Sequence, residues 1–566
     1  MKISVNKIFL VLIIALAAFL RLYNITGVPP QPTLDEVSIG YNAYSILNTG
    51  ADEYGTRIPV LLRAYDDWRP ALYVYLVIPF ISIFGLDVLS VRLPSVLMSI
   101  LTVGAVYFLV KELTKGAKAI RLKELNLDIP VIATFLFAIS PWHIYLSRLG
   151  HEVNASFSFL IFGILFFFRF LDKKNWNIYL SSIFFALSFA AYQSSKIIIP
   201  ILLLVLFLLY FRKLLRTKMH VVIAGFLGVL IIIPVIISSF DDNALIRFKG
   251  TSLMGNSPAY FEKVSERYFK DKTDGNLLGY VFDNRKAASI LLLSNAHLSH
   301  FSPNWLFFNE GEDPFKTPTL GLLYLFELPL IFVSLLFLLR SGISIKSILF
   351  LASWALIAVL PGSVTTGYPH AMRAYALLPI PQILAAIGFL SILIFLKEKR
   401  LQFLFASSSL LVATISVLWF FHSYFYLLPR ELSQQFQFGV INALNQIRTM
   451  EGDYKQIVVS NKDALFESYM FYLFSNKYDP GIYQDNGGTI SGGYDVEHTI
   501  GKYTFGNIGD KISKNRLYIM NLSEFEDIKR YYALADGKKV PIIKLNVLSK
   551  INYLNGKTSL VIVETK

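Results

Sequence analysis

Two adjacent acids, Asp35 and Glu36, follow the first long apolar stretch of the chain in the segment PPQPTLDEVSIGYNAYSILNTG. The Pro-rich turn and the residues after it predict an amphipathic helix that ends near Gly50. Acids in the first turn of a helix interact favourably with its dipole and accept hydrogen bonds from its amides. A carboxylate just outside a membrane span could also meet both a lipid-bound and an aqueous reactant. The local pattern leaves both interpretations open.

A second group of ionisable residues lies in the short segment SRLGHEVNASF, between two apolar stretches. It contains Arg148, His151 and Glu152. Ionisable groups at the membrane surface are often functional, although anchoring at the interface is the common alternative. His151 could help to bind a metal, but a lone histidine is more often a hydrogen-bonding surface residue. These alternatives also remain open.

Basic residues stand at the ends of several apolar stretches: Arg69 in DDWRP, Lys196, and His370 with Arg373 in GYPHAMRAY. An arginine in this position usually extends to water or to lipid phosphate. Several that converge on one cavity would instead bind a phosphate group. Glu327, in YLFELPL, lies in an apolar run, where a carboxylate is costly unless it is paired or lines a polar cavity.

Composition indicates a polytopic membrane protein. Of 566 residues, 54% are hydrophobic and 16% charged, and the mean hydropathy is +0.52, whereas a soluble chain is about a quarter charged. The net charge of +14 is better explained by basic cytoplasmic loops than by binding to nucleic acid. The chain has no cysteine, which excludes disulfides and thiolate metal sites and fits a bacterial or archaeal cell envelope protein.

Apolar runs predict about eleven transmembrane helices. They lie near 8–22, 88–110, 130–146, 154–171, 176–192, 197–211, 219–239, 319–339, 346–360, 374–396 and 402–424. The first resembles a signal peptide without a cleavage site, so we interpret it as an uncleaved span with Lys2 and Lys7 in the cytoplasm. The apolar stretch 71–84 is short and contains Pro79, which favours an interfacial or re-entrant segment.

This topology places the basic loops on the cytoplasmic side, as the positive-inside rule requires. The residues concerned are Lys111, Lys115, Lys118, Arg121, Lys123, Lys173, Lys174, Arg212, Lys213, Arg216, Lys218, Arg340, Lys346, Lys397, Lys399 and Arg400. Segments 23–87, 147–153, 240–318 and 361–373 then form outer loops of a membrane domain over residues 1–428. All the candidate residues except Glu327 and Lys196 lie in these loops, and Lys196 stands at the outer start of the span near 197–211.

Residues 429–566 are more polar and predict an extracytoplasmic α/β domain. Strands are expected at 456–460, 516–520, 540–547 and 559–564, and helices at 464–475 and 522–533. The stretch 476–506 is rich in Asn, Gly and Tyr and is interpreted as a long loop. No residue pattern in this domain indicates catalysis.

The order of these motifs resembles that of the GT-C membrane glycosyltransferases. The motifs are Asp35-Glu36, the aromatic segment from Pro70 to Phe84-Gly85, Arg92-Leu93-Pro94-Ser95, Glu152 after Arg148-Leu149-Gly150, and Pro369-His370-Ala371-Met372-Arg373. The resemblance covers roughly residues 1–425. It is to the branch of the protein O-mannosyltransferases and the aminoarabinose transferases of lipid A, glycosyltransferase family 39-like.

The resemblance implies a GT-C fold and transfer of a hexosyl or pentosyl group from a polyprenyl-phosphate donor, with inversion, at the outer membrane face. Asp35 would activate the acceptor hydroxyl, as general base or through a divalent metal ion, while Glu36 supports it and Glu152 is the second acid. The donor phosphate would be bound by Arg69, Lys196, His370 and Arg373. The substrate cavity would include Arg148, His151 and Glu327, and Asp35, Glu152 and His151 are the candidate metal ligands.

The chain also departs from this family pattern. The second acid is often Asp in this branch, and Trp68 stands where some relatives carry a metal-binding acid that Asp66 or Asp67 could replace. A cofactor is therefore not certain. The segment HLSHFSPNWLFFNEGEDP from His297 is either part of a sugar or acceptor groove or a packed loop.

The acceptor is open among a protein, a glycolipid and a cell-wall glycan. The alternatives to glycosyl transfer are a transporter or flippase for lipid-linked sugars and a lipid-linked oligosaccharide polymerase or ligase. A transporter usually shows repeated halves and broken helices, and the sequence shows neither clearly.

Overall fold

The computed structural model describes residues 5–117, 120–122, 125–172, 175–239, 250–309, 313–493, 496–509, 512–534 and 543–566. Lys2, Lys118, Lys123, Lys173, Lys174 and the side chain of Arg121, all used to predict the topology, lie outside the described residues, as do 310–312 of the segment from His297. The chain divides into two compact units. We call residues 1–23, 95–148 and 152–420 the helical unit, and residues 24–94, 149–151 and 421–566 the sheet unit.

Apolar sequence forms most of the helices in the first three quarters of the chain. In order these are α1 (Val5–Leu22), α2 (Leu34–Thr49), α3 (Leu72–Phe84), α4 (Val88–Leu113), α5 (Ile129–Ile139), α6 (Pro141–Ser147), α7 (Glu152–Asp172), α8 (Asn177–Ala191), α9 (Ser195–Arg216), α10 (Lys218–Ser239), α11 (Pro258–Thr273), α12 (Leu277–Phe282), α13 (Arg285–Ser299), α14 (Pro303–Phe307), α15 (Glu327–Phe337), α16 (Ile345–Ala358), α17 (Leu360–Ser363), α18 (Ile380–Phe395) and α19 (Lys399–His422). A short hairpin of β1 (Leu61–Ala64) and β2 (Asp67–Pro70) precedes α3, and another of β3 (Ile120–Leu122) and β4 (Leu125–Leu127) follows α4.

The structure confirms a multi-pass helical membrane protein. Among the described residues, seven helical segments are long and apolar enough to cross a membrane. They are Val88–Leu113, Glu152–Asp172, Ser195–Arg216, Lys218–Ser239, Ile345–Ser363, Tyr375–Phe395 and Lys399–Glu431. The pair α5 and α6 would be an eighth, bent by 55°. The bend falls at Ser140, before Pro141, whose ring nitrogen has no proton to continue the helical hydrogen bonds.

The number of eleven spans is not confirmed. Each predicted span contains a helix, but α8 has 15 residues and α15 has 11. Helix α15 begins at Glu327, so the first part of the predicted span 319–339 is not helical. The stretch 71–84 forms the 13-residue helix α3, whose C-cap is Gly85 with a φ of 77°. Its interfacial or re-entrant placement remains a prediction.

The sheet unit contains most of the remaining regular structure. Besides α2 and α3, its helices are α20 (Leu428–Glu431), α21 (Val440–Arg448), α22 (Ser468–Ser475), α23 (Pro480–Asp485) and α24 (Leu522–Leu534). Its strands are β5 (Ile457–Ser460), β6 (His498–Ile500), β7 (Tyr503–Gly506), β8 (Leu517–Asn521), β9 (Leu545–Asn552) and β10 (Thr558–Thr565), in the order β6-β7-β5-β8-β10-β9. Strand β5 is parallel to β7 and β8, and the other pairs are antiparallel. Apolar side chains of β8 and β10 pack with α24 in a buried core that includes Tyr518, Phe525 and Val561.

Two expectations for this part of the chain were wrong. The stretch 476–506 contains α23, β6 and β7 rather than one long loop. Strands of three and four residues give little periodicity, and burial of Tyr503 and Phe505 is decided by pairing of β7 with β5. The strand expected at 540–547 lies instead at Leu545–Asn552, and residues 540–542 are outside the described residues. The predicted division of the chain at residue 428 remains a prediction, because the sheet unit also includes residues 24–94.

Candidate active site

The acidic pair lies at the capped N-terminus of α2. Thr33 is the N-cap, and its hydroxyl accepts a hydrogen bond from the Glu36 amide at 3.2 Å. The Glu36 carboxylate accepts in return from the Thr33 amide at 2.8 Å, which completes a capping box. The two acids therefore differ in role, since Glu36 supplies the cap and Asp35 does not.

Glu36 also forms a buried ion pair with Arg92 near the start of α4. The Arg92 Nε atom donates to Glu36 Oε1 at 2.7 Å and Nη2 donates to Oε2 at 3.0 Å, and both side chains are almost fully buried. The Gly150 amide donates to Oε1 at 2.8 Å, which connects residues 149–151 to α2 within the sheet unit. Burial opposes ionisation of Glu36. The positive charge and hydrogen bonds of Arg92, with the amides of Gly150 and Thr33, outweigh burial and lower the pKa of Glu36.

Asp35 is the more accessible acid of the pair. Its side chain is 49% exposed, and its Oδ1 atom accepts a hydrogen bond from Arg69 Nη1 at 2.9 Å. His151 Nε2 lies 3.7 Å from the other carboxylate oxygen, Oδ2. The structure thus brings together three of the predicted site residues, and Asp35 faces solvent between two nitrogen-bearing side chains.

The β1–β2 hairpin positions Arg69. Arg69 lies in β2 opposite Leu62, and only 6% of its side chain is exposed. The two strands are joined by a two-residue turn, Tyr65-Asp66. The Tyr65 hydroxyl donates to the carbonyl of Leu34, the residue before Asp35, at 2.9 Å. The hairpin therefore contacts the start of α2 through both Tyr65 and Arg69.

A second pair of carboxyl groups, Glu53 and Glu467, is fully buried in the sheet unit. Glu53 accepts hydrogen bonds from Asn42, Thr489 and Tyr469, and burial raises its pKa to about 7. Neither carboxyl oxygen of Glu467 has a hydrogen-bond partner among the described residues. Burial, with the nearby Glu53 and Asp66, raises the pKa of Glu467 to about 8. Both carboxyl groups therefore keep their proton up to near-neutral pH.

Replacing Glu467 by glutamine is expected to reduce the loss of stability as the pH rises from 4.5 to about 8. The unfolded chain releases this proton near the ordinary value of 4.5, whereas the folded chain keeps it to about pH 8. Stability is therefore lost as pH rises through this window, and a glutamine has no proton to lose. We expect the variant to gain about 1–3 kcal/mol relative to wild type between pH 5 and pH 8. Thermal unfolding in detergent at both pH values measures this, with the exposed Glu497→Gln as control. Parallel pH profiles for wild type and Glu467→Gln would contradict it.

In the helical unit, Arg148 forms hydrogen bonds at the C-terminus of α1. Its Nη1 atom donates to the carbonyls of Leu20, Arg21 and Tyr23 at 3.2, 2.8 and 2.8 Å. These are carbonyls at the C-terminus of a helix, which an arginine can satisfy. Arg148 is fully buried, so the structure places it as a helix cap; the predicted contact with substrate remains a prediction.

Three other predicted site residues lie in the helical unit. Glu152 is 4% exposed in the first turn of α7, and Lys196 donates to the Ser239 hydroxyl at 2.9 Å. Glu327 is fully buried and accepts from the Tyr324 amide at 3.2 Å and the Gln382 side chain at 3.3 Å. Glu327 is thus paired, as its position in an apolar run requires. Its place in a substrate cavity, and the roles of Glu152 and Lys196, remain predictions.

The stretch with His370 and Arg373 packs against the segment from His297. Asp313 Oδ2 accepts from the Ala371 amide at 2.9 Å and from Trp305 Nε1 at 3.3 Å, and the His370 amide donates to His300 Nε2 at 3.3 Å. This favours a packed segment over an open groove for the residues described there. Burial, with Arg373 and His300, lowers the pKa of His370 to about 3, so its imidazole is neutral.

Arg373, in the same stretch, carries a positive charge, because an arginine side chain is not deprotonated in proteins. Its Nη1 atom donates to the Thr365 hydroxyl at 2.8 Å and to the Thr366 carbonyl at 2.6 Å. Of the two residues, only Arg373 can then offer a positive charge to a phosphate at neutral pH, and His370 could serve only as a neutral donor.

The metal site expected at Asp35, Glu152 and His151 remains a prediction. Throughout the described ranges, no group of three or more His, Asp or Glu side chains is arranged to hold a metal ion. Asp66, one of the acids that could have replaced the missing ligand, is bound by Arg63, Ser491 and Gly492.

Sequence reasoning missed the partners that define the site. Arg92 entered only as part of a family motif, although an arginine just inside an apolar span is a signal in itself. Glu53, Tyr65 and Glu467 gave no signal, because their neighbours are distant in sequence.

Part of the chain matches a known family. Residues 69–237 match the profile of the family described as dolichyl-phosphate-mannose-protein mannosyltransferase. No curated protein sequence matches the chain significantly.

The fold is similar to that of solved membrane enzymes. ArnT from Cupriavidus metallidurans bound to undecaprenyl phosphate aligns with a TM-score of 0.52 at 11% identity, over 98% of this chain and 97% of that chain. Its apo state aligns with a TM-score of 0.51 at 11% identity, with the same coverage. Archaeal oligosaccharyltransferase AglB from Archaeoglobus fulgidus, in complex with an inhibitory peptide and a dolichol-phosphate, gives a TM-score of 0.49 at 15% identity. That alignment covers 83% of this chain and 63% of AglB, so this chain spans less than two thirds of AglB.

The partial family match and the fold together make the chain similar to the GT-C membrane glycosyltransferases. Its matched residues 69–237 are similar to the protein O-mannosyltransferases and its fold to ArnT, so the resemblance that the motifs indicated is confirmed.

Proposed function

We propose that this protein transfers a sugar from a polyprenyl-phosphate donor to an acceptor hydroxyl at the outer face of the cell membrane, with inversion. The observation that carries the proposal is the position of Asp35. It is a half-exposed carboxylate on a helix whose N-terminus is already capped by Thr33 and Glu36, between Arg69 and His151.

The chemistry is a single displacement. The acceptor hydroxyl gives its proton to Asp35, and the acceptor oxygen forms a bond to the anomeric carbon of the donor. The bond from that carbon to the phosphate oxygen breaks, and the lipid phosphate leaves with the electron pair. Attack opposite to the leaving group inverts the anomeric centre. The protein contributes orientation of the reactants and positive charge for the departing phosphate.

The proposed phosphate-binding residues are Arg69, Lys196, Arg373 and His370. The first three can carry positive charge, and His370 would donate as a neutral imidazole because its pKa is low. Arg69 already contacts Asp35, so the same guanidinium can serve the base and the phosphate. Glu36 supports Asp35 indirectly, through the cap and the Arg92 ion pair, and Glu152 remains the proposed second acid near the donor.

The donor class is supported by the undecaprenyl phosphate bound to ArnT, a protein of similar fold. The proposed topology has a cytoplasmic N-terminus, about eleven spans, and outer loops and a C-terminal domain on the extracytoplasmic side. Basic residues at the junction of α9 and α10, Lys213, Arg216 and Lys218, support this orientation. A protein, a glycolipid and a cell-wall glycan are the acceptor classes to be tested.

The proposal is tested with the purified protein and a set of radiolabelled polyprenyl-phosphate sugars, with a membrane extract as the source of acceptor. We expect label from one donor to appear in a product that separates from the donor lipid on chromatography. Movement of intact donor across proteoliposome membranes, without any such product, would contradict the proposal and favour a flippase.

A further inference from the structure

The turn between β1 and β2 has a backbone conformation that its residues do not favour. Tyr65 and Asp66 have φ values of 52° and 57°. A two-residue hairpin turn with two positive φ values is usually Asn-Gly or Asp-Gly. Residues with a Cβ atom pay roughly 1–2 kcal/mol each in this region. Other contacts must therefore hold the turn in this shape.

Asp66 is bound by the C-terminal part of the sheet unit. Its Oδ2 atom accepts from the Ser491 hydroxyl at 2.6 Å, and Oδ1 accepts from the Gly492 amide at 3.0 Å and Arg63 Nε at 2.8 Å. Burial opposes ionisation of Asp66, but these three contacts outweigh it and lower its pKa. The carboxylate therefore acts as a charged anchor between the turn and the segment at 491–492.

Tyr65 connects the same turn to the N-terminus of α2. Its ring packs edge-on against Tyr469 of α22, with 6.4 Å between ring centroids. Its hydroxyl donates to the carbonyl of Leu34, next to Asp35. One side of Tyr65 thus contacts the C-terminal part of the chain, and its hydroxyl fixes the start of α2.

Gly492 packs so closely on the turn that a side chain cannot be placed there. A Cβ atom would lie 2.6 Å from Tyr65 Cα and 3.0 Å from the Asp66 amide nitrogen, which are backbone positions that cannot rotate away. At the neighbouring Gly493 the nearest atoms would be side-chain atoms at 3.3 and 3.5 Å. The two adjacent glycines therefore form a matched pair for testing this contact.

We propose that the C-terminal part of the chain positions the Asp35–Arg69 pair by holding the Tyr65–Asp66 turn, which makes Tyr65, Asp66 and Gly492 positioning residues. Arg69 follows Asp66 by three residues on the same short hairpin, so a shift of the turn moves the guanidinium relative to Asp35. This inference rests on the proposed function for its effect on catalysis. It gives the C-terminal domain, which has no catalytic motif, a defined role in the reaction.

Gly492→Ala is expected to lower kcat for sugar transfer about tenfold, the effect of about 1.4 kcal/mol on the barrier. Because the change misorients groups that act on the bound substrate, KM for the donor should change less than kcat. Gly493→Ala should retain wild-type kcat. Tyr65→Phe, which removes only the hydroxyl, is expected to lower kcat about threefold, and it serves as the second variant where Gly492→Ala does not fold. Wild-type kcat in both Gly492→Ala and Tyr65→Phe would overturn the proposal.

A spin label tests the turn without relying on catalysis. The chain has no cysteine, so Asp67→Cys at an exposed position provides a single labelling site next to the turn. The label is expected to become more mobile in Gly492→Ala and to stay unchanged in Gly493→Ala. If the wild type transfers no sugar but the label responds, the proposed function fails while the positioning contact stands. An unchanged label in Gly492→Ala overturns the contact itself.

Discussion

Replacing Asp35 by asparagine is expected to reduce the rate of sugar transfer by about 10²–10⁴-fold, the usual contribution of a general base. Asparagine has nearly the same shape but cannot accept the proton of the acceptor hydroxyl. Since Asp35 is half exposed and Glu36 provides the helix cap, the variant should fold normally. The measurement is the initial rate at saturating donor, with the melting temperature recorded in the same detergent.

Asp485→Asn is the matched control for this variant. Asp485 is an exposed acid at the end of α23 and has no proposed role in the site. We expect it to retain transfer within a small factor of wild type. Equal rates for Asp35→Asn and wild type would remove Asp35 from the mechanism, whereas equal losses in both aspartate variants would point to surface charge rather than to a base.

Replacing Arg92 by methionine is expected to destabilise the protein by about 3–5 kcal/mol, since it leaves the Glu36 carboxylate buried without its partner. All five N–H donors of Arg92 are used. Besides the two bonds to Glu36, they reach the carbonyls of Ile25, Pro29 and Gln31 at 2.8, 3.2 and 3.1 Å. Thermal unfolding in detergent measures the loss.

A double variant separates the ion pair from the carbonyl contacts. Arg92→Met combined with Glu36→Gln removes the buried charge and should recover part of the loss, but not all, because the three carbonyls still lack donors. The exposed Arg430→Met is the control and should change stability little. A double variant no more stable than Arg92→Met alone would show that the buried charge of Glu36 is not the cause.

The membrane helices could be predicted because their signal is local. A run of apolar residues long enough to cross a bilayer is visible without any knowledge of neighbours, and helices α4, α7, α9 and α10 begin and end close to the predicted bounds. Short elements such as β6 and β7 could not be predicted, because strands of three or four residues are formed by pairing rather than by their own sequence.

The candidate site was predictable only in part for the same reason. Asp35 and Glu36 stood out, and the capping box of Thr33 and Glu36 has a local sequence signature. The contacts of Glu36 with Arg92 and Gly150 could not be predicted, because these residues are distant in sequence. The contact of Arg69 with Asp35 also required the hairpin to fold back on α2. The types and order of the residues thus suggested the class of chemistry, whereas the partner of each residue is known only from the tertiary structure.

The most direct test of the account is the anomeric configuration of the product formed from a donor labelled with ¹³C at its anomeric carbon. The purified protein, donor and the acceptor fraction are followed by NMR. We predict that the donor signal is replaced by one glycosidic signal of the opposite configuration, with release of free polyprenyl phosphate. A product of retained configuration would contradict the single displacement, and an unchanged donor signal from every donor would contradict sugar transfer itself.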